Sequence, residues 1–111
     1  MVANGRHWSE KNRVFFNDGK GFFRRSISLG TERNTTYVTP VVDIDNDGDL
    51  DVLVGNERIR NQVFKNDGSG NLVFDHYFGF QISNTRGLCA ADLNGDGFID
   101  VAVANLSLIH I

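Results

Sequence analysis

The stretch Asp43-Ile44-Asp45-Asn46-Asp47-Gly48-Asp49-Leu50-Asp51 places five carboxylates within nine residues. Carboxylates at this density repel one another unless a cation lies among them. Aspartates occupy positions 1, 3, 5 and 9, and Gly48 at position 6 allows the sharp turn that lets alternate side chains point at one centre. Oxygen ligands in this number suit Ca²⁺, which binds about six to eight of them. Residues 43–51 are called the first acidic loop below.

A second copy of this pattern lies at Asp92-Leu93-Asn94-Gly95-Asp96-Gly97-Phe98-Ile99-Asp100, called the second acidic loop. It has the glycine at the same position and an amide at one ligand position. The candidate side-chain ligands of the two loops are Asp43, Asp45, Asp47 and Asp51, then Asp92, Asn94, Asp96 and Asp100. Two matching copies indicate two cation sites rather than acidic turns that bind nothing.

The EF-hand begins with the same D-x-D-x-D-G pattern and is the rival interpretation of these loops. An EF-hand needs a bidentate glutamate at position 12 and a helix on each side. Position 12 is Val54 in the first acidic loop and Val103 in the second, and both lie in runs of β-type residues. The sequence therefore excludes an EF-hand.

Composition and charge exclude several classes of protein. The 111 residues are 41% hydrophobic and 23% charged, which fits one small globular domain rather than a disordered chain. No apolar run approaches the ~18 residues that a membrane-spanning helix needs. Eight of the fourteen acidic residues lie in the acidic loops, so the negative charge belongs to the candidate sites. The basic residues form no patch interleaved with aromatics, and nucleic-acid binding is not expected.

An internal repeat extends along the whole chain. Asn-Arg-Val-Phe-Phe-Asn-Asp-Gly at 12–19 recurs as Asn-Gln-Val-Phe-Lys-Asn-Asp-Gly at 61–68, 49 residues later, and the acidic loops recur at the same offset. Short apolar and β-branched runs bounded by Gly, Asn or Asp predict strands at 13–16, 22–29, 38–44, 50–55, 62–65, 72–78, 87–93 and 99–104. Four strands in each repeat of this length indicate the blade of a β-propeller.

The repeat divides the chain into parts. Residues 1–11 are expected to be the tail of a preceding repeat and a linker, 12–60 the first blade unit, and 61–105 the second. Residues 106–111 break the pattern and resemble the translation of a sequencing adapter, so we expect a non-native tail there, with a genuine short final strand as the alternative. The predicted fold class is all-β, with two four-stranded antiparallel blades of an incomplete β-propeller.

The apolar pattern also predicts what is buried. Val52-Leu53-Val54 and Val101-Ala102-Val103-Ala104 are apolar at consecutive positions, which is typical of strands buried on both faces. Cys89, the single cysteine, is expected to be a small buried residue. The aromatic residues are expected to form the core between blades: Phe15, Phe22, Phe23, Phe64, Phe74 and Phe78.

The pattern D-x-D-x-D-G-x-x-D between two apolar strands, together with the N-x-V-F-x-N-D-G turns, resembles the FG-GAP/VCBS repeat family. Similar blades form the heads of integrin α chains and parts of many secreted bacterial proteins. The resemblance covers residues 1–105 and implies a β-propeller whose Ca²⁺ lies in the hairpin joining the first two strands of a blade. It implies the eight side-chain ligands named above, with the backbone carbonyls of Asp49 and Phe98 completing the two sites.

The leading functional hypothesis is a Ca²⁺-stapled propeller fragment that serves adhesion or ligand binding. It places the protein outside the cell, on the cell surface or in the periplasm, with neighbouring blades and an unknown protein or glycan as partners. The alternative is the scaffold of a secreted enzyme such as a polysaccharide lyase. We predict no enzyme and no catalytic residue, because no nucleophile elbow, H-E-x-x-H motif or histidine–carboxylate pair stands out. A purely structural spacer remains a third hypothesis.

Overall fold

The computed structural model describes residues 10–106, apart from the side chains of Glu32 and residues 80–83. This part of the chain contains strands and no helix. The strands are β1 (Glu10–Phe16), β2 (Arg25–Val38), β3 (Val41–Val42), β4 (Asp51–Asn66), β5 (Leu72–Ala91) and β6 (Asp100–Asn105). All pairings are antiparallel, in the order β1-β2-β4-β5-β6 with β3 paired to β4. The predicted all-β, antiparallel fold is confirmed, and the sheet is not closed.

Strand β4 is a hairpin rather than one straight strand. Sixteen extended residues span about 50 Å, yet the amide N of Asn66 at one end donates to the Asp51 carboxylate at the other over 2.9 Å. The chain reverses at 57–60, where Arg58 has a left-handed φ of 67°. The Asn56 amide donates to the Asn61 side chain across this reversal at 2.9 Å. The predicted strands 50–55 and 62–65 are thus the two arms of β4.

Strands β2 and β5 each pass from one set of pairings to the next. Residues 25–29 of β2 pair with β1, whereas its residues 35–38 pair with β4. In the same way β5 pairs with β4 through its first half and with β6 through its second. Gly30 and Gly79, 49 residues apart, lie at these transitions with φ of 78° and 99°. Only glycine adopts this backbone readily, so the repeated glycines mark the crossings.

The largest paired group contains the second half of β2, β3, both arms of β4 and the first half of β5. This group starts inside the predicted unit 12–60 and ends inside unit 61–105. The predicted boundary between residues 60 and 61 falls within β4. The division into units 12–60 and 61–105 stays a prediction. Most of the expected tails, residues 1–9 and 107–111, lies outside the described residues.

The two Asn-Asp-Gly segments form matching turns, as expected between consecutive strands. The side chain of Asn17 accepts bonds from the amides of residues 19 and 21 at 2.9 and 3.0 Å, and Asn66 does the same for residues 68 and 70 at 2.9 and 3.1 Å. Asp67 accepts further bonds, first from the Ser69 hydroxyl, and these lower its pKa to about 2. Side-chain bonds of this kind define Asx turns.

The core is formed on both faces of the first arm of β4. Val52 and Val54 pack with Leu29 and Phe64 on one face. Leu53 on the opposite face packs with Val63 and Leu88. The expectation that 52–54 is buried on both faces is confirmed, since these three residues are at most 2% exposed. The first arm of β4 therefore packs against Leu29 of β2 through one face and against Leu88 of β5 through the other.

Several burial predictions are wrong. Of the six aromatics expected in the core only Phe64 is fully buried, while Phe22 and Phe23 are 57% and 59% exposed because they lie in the turn before β2. Phe15 and Phe74 are also exposed, whereas Phe78 is partly buried and packs against Leu53, Val63 and Leu88 as expected. Cys89 and Val103 are also exposed, because no further strand covers their face of the β5–β6 ladder within residues 10–106.

A buried polar network repeats with the sequence. The Asn12 side-chain amide donates to the Thr36 hydroxyl at 2.7 Å, and this hydroxyl donates to Asn56 at 2.7 Å. All three side chains are at most 3% exposed. The same bonds, at 2.9 and 3.1 Å, join their equivalents 49 residues later: Asn61, Thr85 and Asn105. Each network links strands of two different ladders, and its buried members need their hydrogen-bond partners.

Candidate metal centres

Each acidic loop joins two paired antiparallel strands. The first connects β3 to β4, where Val42 pairs with Asp51, and the second connects β5 to β6, where Ala91 pairs with Asp100. Strand pairing therefore places the last carboxylate of each loop close to the first carboxylate, which follows directly after the paired residue. Residues that are distant in sequence meet in this way at the base of each turn.

The structure brings together the four predicted side-chain ligands of the first acidic loop. Carboxylate oxygens of Asp43, Asp45, Asp47 and Asp51 all lie within 4.8 Å of one another. Two oxygens bound to one Ca²⁺ at about 2.3–2.6 Å are at most about 5 Å apart. The cluster thus has the spread that a single Ca²⁺ requires.

The second acidic loop brings together three of its predicted ligands, Asp92, Asp96 and Asp100, within the same 4.8 Å. Asn94 lies in the same turn, where its side-chain oxygen accepts from the Asp96 amide at 3.3 Å, and it stays a predicted ligand. Asp49 does not belong to the first carboxylate cluster. Coordination by its backbone carbonyl, and by that of Phe98, likewise remains a prediction.

Backbone amides of each loop orient the first carboxylate. Asp43 accepts bonds from the amides of residues 47 and 48 at 3.1 and 2.9 Å, and Asp92 from residues 96 and 97 at 3.1 and 2.8 Å. Position 6 is left-handed in both loops, with φ of 91° at Gly48 and 88° at Gly97. Position 4 is left-handed as well, with asparagine at residue 46 and glycine at residue 95. The loops therefore share one backbone conformation that aims alternate side chains inward.

Asp51 is the carboxylate that fixes the first acidic loop to the sheet. Its side chain is completely buried. One carboxylate oxygen accepts from the Ile44 amide at 3.0 Å and the other from the Asn66 amide at 2.9 Å. Buried charges are stable when they are hydrogen-bonded and paired or bound to metal. Asp100 accepts the equivalent bond from Leu93 at 2.9 Å and is half-buried.

The charges around the loops are mainly negative. Lys65 lies 3.5 Å from Asp45, and no other ion pair to either acidic loop occurs within residues 10–106. Partial loss of hydration acts to raise the pKa of Asp45, but its bond to Asp47 and the charge of Lys65 lower it overall. The Asp49 amide acts to lower the pKa of Asp47, but lost hydration and the Asp45 and Asp49 charges outweigh it and raise the pKa. The Gly97 amide is the main cause of a lowered pKa at Asp92.

The two loops touch each other. The side-chain amide of Asn46 donates to the backbone carbonyl of Gly97 at 3.2 Å. This bond connects position 4 of the first loop with position 6 of the second. The candidate metal centres thus lie at the same edge of the molecule, on neighbouring repeats.

One histidine–carboxylate pair was missed from the sequence. The ring Nδ1 of His76 is hydrogen-bonded to Asp75, and Lys65 lies 3.9 Å from the same carboxylate. Neighbouring residues of a strand normally point to opposite faces. Here the β4–β5 register shifts, so that Phe74 and His76 pair with consecutive residues of β4 and Asp75 is left as a bulge. The sequence carries no signal for this bulge.

Comparison with known proteins agrees with the geometry. A family model described as an FG-GAP-like repeat matches residues 1–54 and 43–103. The first match contains the whole first acidic loop, and the second contains both loops. No curated protein and no solved structure matches the chain. Among the described residues no helix is long and apolar enough to cross a membrane. The chain belongs to the FG-GAP-like repeat family.

Proposed function

We propose that this chain is a calcium-binding part of a β-propeller, in which one Ca²⁺ in each acidic loop staples together the strands that the loop joins. The observation that carries the proposal is the convergence of four carboxylates within 4.8 Å, one of them the fully buried Asp51. Lys65 reaches only the rim of this cluster, at Asp45. A divalent cation supplies the missing positive charge.

The donor set favours calcium over other ions. All the candidate ligands are oxygen atoms, which suit hard cations, and the turn offers more of them than Mg²⁺ normally takes from protein. The amide bonds to Asp43 and Asp92 hold the carboxylates in place as outer partners of the ligands. Ca²⁺ bound at one site raises the free energy of unfolding by RT ln(1 + [Ca²⁺]/Kd).

The proposed setting is extracellular, on the cell surface or in the periplasm. Extracellular modules bind Ca²⁺ at about 10⁻⁴–10⁻³ M, the range in which a structural staple remains occupied outside cells. The proposed role is adhesion or binding of a protein or glycan by a propeller to which neighbouring blades contribute. Catalysis is not part of the proposal. The exposed apolar face of the β5–β6 ladder supports a neighbouring blade.

The first acidic loop is expected to bind Ca²⁺ more tightly than the second, by roughly threefold to tenfold, because four carboxylates attract the cation more strongly than three and an amide. Isothermal titration calorimetry of Asp96→Ala reports the first site alone, and Asp47→Ala reports the second. Equal affinities at the two surviving sites would contradict this order. Loss of all Ca²⁺ binding in both variants would contradict the assignment of two separate sites.

A further inference from the structure

A concave site of about 260 Å³ lies on the molecule apart from the acidic loops. It is formed where β2 covers one face of the β4–β5 ladder, and we call it the aromatic pocket. Gln62 pairs with Tyr77 across the ladder, and Phe64 pairs with Phe74, so these side chains are cross-strand neighbours. The residues lining the pocket are Gly30, Thr31, Gln62, Phe64, Phe74 and Tyr77.

Three rings pack together at this pocket, where the exposed Phe74 and the half-buried Tyr77 present their surface and the buried Phe64 lies behind them. The centroids of Phe64 and Phe74 lie 5.7 Å apart in an edge-to-face contact, and those of Phe74 and Tyr77 lie 4.9 Å apart. The guanidinium of Arg60 lies 5.6 Å from the Tyr77 centroid and donates to the carbonyl of Gly79 at 3.2 Å. These contacts hold the Tyr77 ring in one orientation. The pocket thus offers a preformed apolar surface.

A buried amide is the polar group of this pocket. Gln62 is only 4% exposed. Its side-chain oxygen accepts bonds from the side chains of Asn34 at 3.3 Å and Asn56 at 3.1 Å, which fixes the orientation of the amide. No hydrogen bond to another described residue uses its Nε2 group, and this atom is not one of the buried atoms left without a partner, so it is open to the pocket. A donor that is open to a pocket and free of protein partners favours a ligand that brings an acceptor oxygen.

The pocket is not a consequence of the repeat. The equivalents of Gln62, Tyr77 and Phe74, 49 residues earlier, are Arg13, Ser28 and Arg25. There the guanidinium of Arg13 donates to the hydroxyls of Ser28 and Ser26 at 3.3 and 2.9 Å. An arginine bonded to serines thus stands where the pocket has an amide beside an aromatic ring. The structural networks recur at this offset, and so does the buried ring, since Phe15 is the equivalent of Phe64, whereas Gln62, Tyr77 and Phe74 do not recur. This difference separates a local site from the framework of the fold.

We propose that the aromatic pocket binds one sugar ring of a glycan. A sugar ring has apolar C–H faces that pack against aromatic rings, and it carries oxygen atoms at its edge that accept a bond from the Gln62 amide. A purely hydrocarbon side chain leaves that donor unpaired. The volume lies below the roughly 300–1,000 Å³ of pockets for drug-sized ligands and suits a single ring. The inference deepens the ligand-binding role proposed above by naming the class of ligand.

Protein-observed NMR of the aromatic ring protons and calorimetry, both on the full chain with Ca²⁺, test this directly. The probes are maltohexaose, chitohexaose and an oligogalacturonate, which represent neutral, N-acetylated and acidic sugars. At least one is expected to bind and to shift the ring protons of Tyr77. Tyr77→Ala is expected to weaken binding at least tenfold, while Phe22→Ala, an exposed ring in the β1–β2 turn, leaves it unchanged.

Gln62→Glu provides the sharper variant. It keeps an acceptor for Asn34 and Asn56 but replaces the Nε2 donor, so binding is expected to fall at least tenfold. Tyr77→Phe keeps the ring and retains binding within about threefold. The inference is overturned if none of the three probes binds the wild-type chain, or if Tyr77 protons do not shift on binding. Ca²⁺ binding measured in the same samples tests the calcium proposal separately, so the two can fail independently.

Discussion

Asp51→Ala is expected to abolish the contribution of the first acidic loop to stability. The substitution removes a completely buried carboxylate that belongs to the cluster and accepts bonds from Ile44 and Asn66. The two partly buried amides lose their acceptor, at a cost of up to about 1–3 kcal/mol each, and the loop loses a ligand at the position tied to the sheet. We expect a Ca²⁺ affinity at this site at least a hundredfold lower. Thermal unfolding in Ca²⁺ and in chelator measures the effect.

Asp49→Ala is the matched control for this change. Asp49 lies two residues away and carries the same charge, but its carboxylate does not belong to the cluster. Its amide donates to Asp47 at 2.9 Å, and this bond survives the substitution. Asp49→Ala is therefore expected to retain most of the Ca²⁺-dependent rise in melting temperature. An equal loss in both variants would show that net charge, rather than coordination, accounts for the effect.

Asn56→Leu is expected to remove about 3–5 kcal/mol from the free energy of unfolding. The Asn56 side chain is completely buried, accepts from Thr36 and donates to Gln62 and to the carbonyl of Arg60. Leucine has a similar volume but leaves the Thr36 hydroxyl and the Arg60 carbonyl without these partners, at about 1–3 kcal/mol each. Urea denaturation in saturating Ca²⁺ measures the change.

Asn105→Leu makes the same substitution at the equivalent position of the next repeat. Asn105 is exposed and accepts one bond, from the buried Thr85 at 3.1 Å, whereas the buried Asn56 makes three side-chain bonds. The expected cost is no more than about half of that at Asn56, because only one partner is left unpaired. Similar losses at both positions would mean that burial does not set the strength of the network. A small loss at Asn56 would show that the polar network contributes little to the free energy of unfolding.

The acidic loops were predictable because their chemistry is local. The spacing of aspartates and the glycine at position 6 define the turn within nine residues, and the fold only had to place the turn between paired strands. The 49-residue repeat and the Asn-Asp-Gly turns similarly predicted short antiparallel strands. Burial of Val52–Val54 followed from three consecutive apolar residues, which have no polar face to present to water.

The features that could not be predicted depend on contacts between distant residues. The bond from Asn66 to Asp51 exists because β4 folds back on itself, and nothing in the loop sequence indicates it. Exposure of Phe22 and Phe23 depends on a turn that holds both rings away from the sheet. Exposure of Cys89 depends on what covers the β5–β6 ladder, so the apolar residues beside it in sequence did not predict its burial correctly.

The polar group of the aromatic pocket was also invisible in the sequence. Gln62 is one of many polar residues in a strand-like run, and its burial depends on Asn34 and Asn56 from other parts of the sheet. The comparison between repeats contained a signal nonetheless. Glutamine, tyrosine and phenylalanine at positions 62, 77 and 74 depart from the residues found 49 positions earlier. Departures from a repeat are candidates for sites that the framework does not require.

Calorimetric titration of Ca²⁺ into the metal-free, full chain tests the central claim most directly. The two carboxylate clusters predict two Ca²⁺ bound per chain, the tighter one lost in Asp51→Ala and the weaker one lost in Asp96→Ala. A folded chain that binds no Ca²⁺ at millimolar concentration, or whose binding survives both substitutions together, would contradict the account.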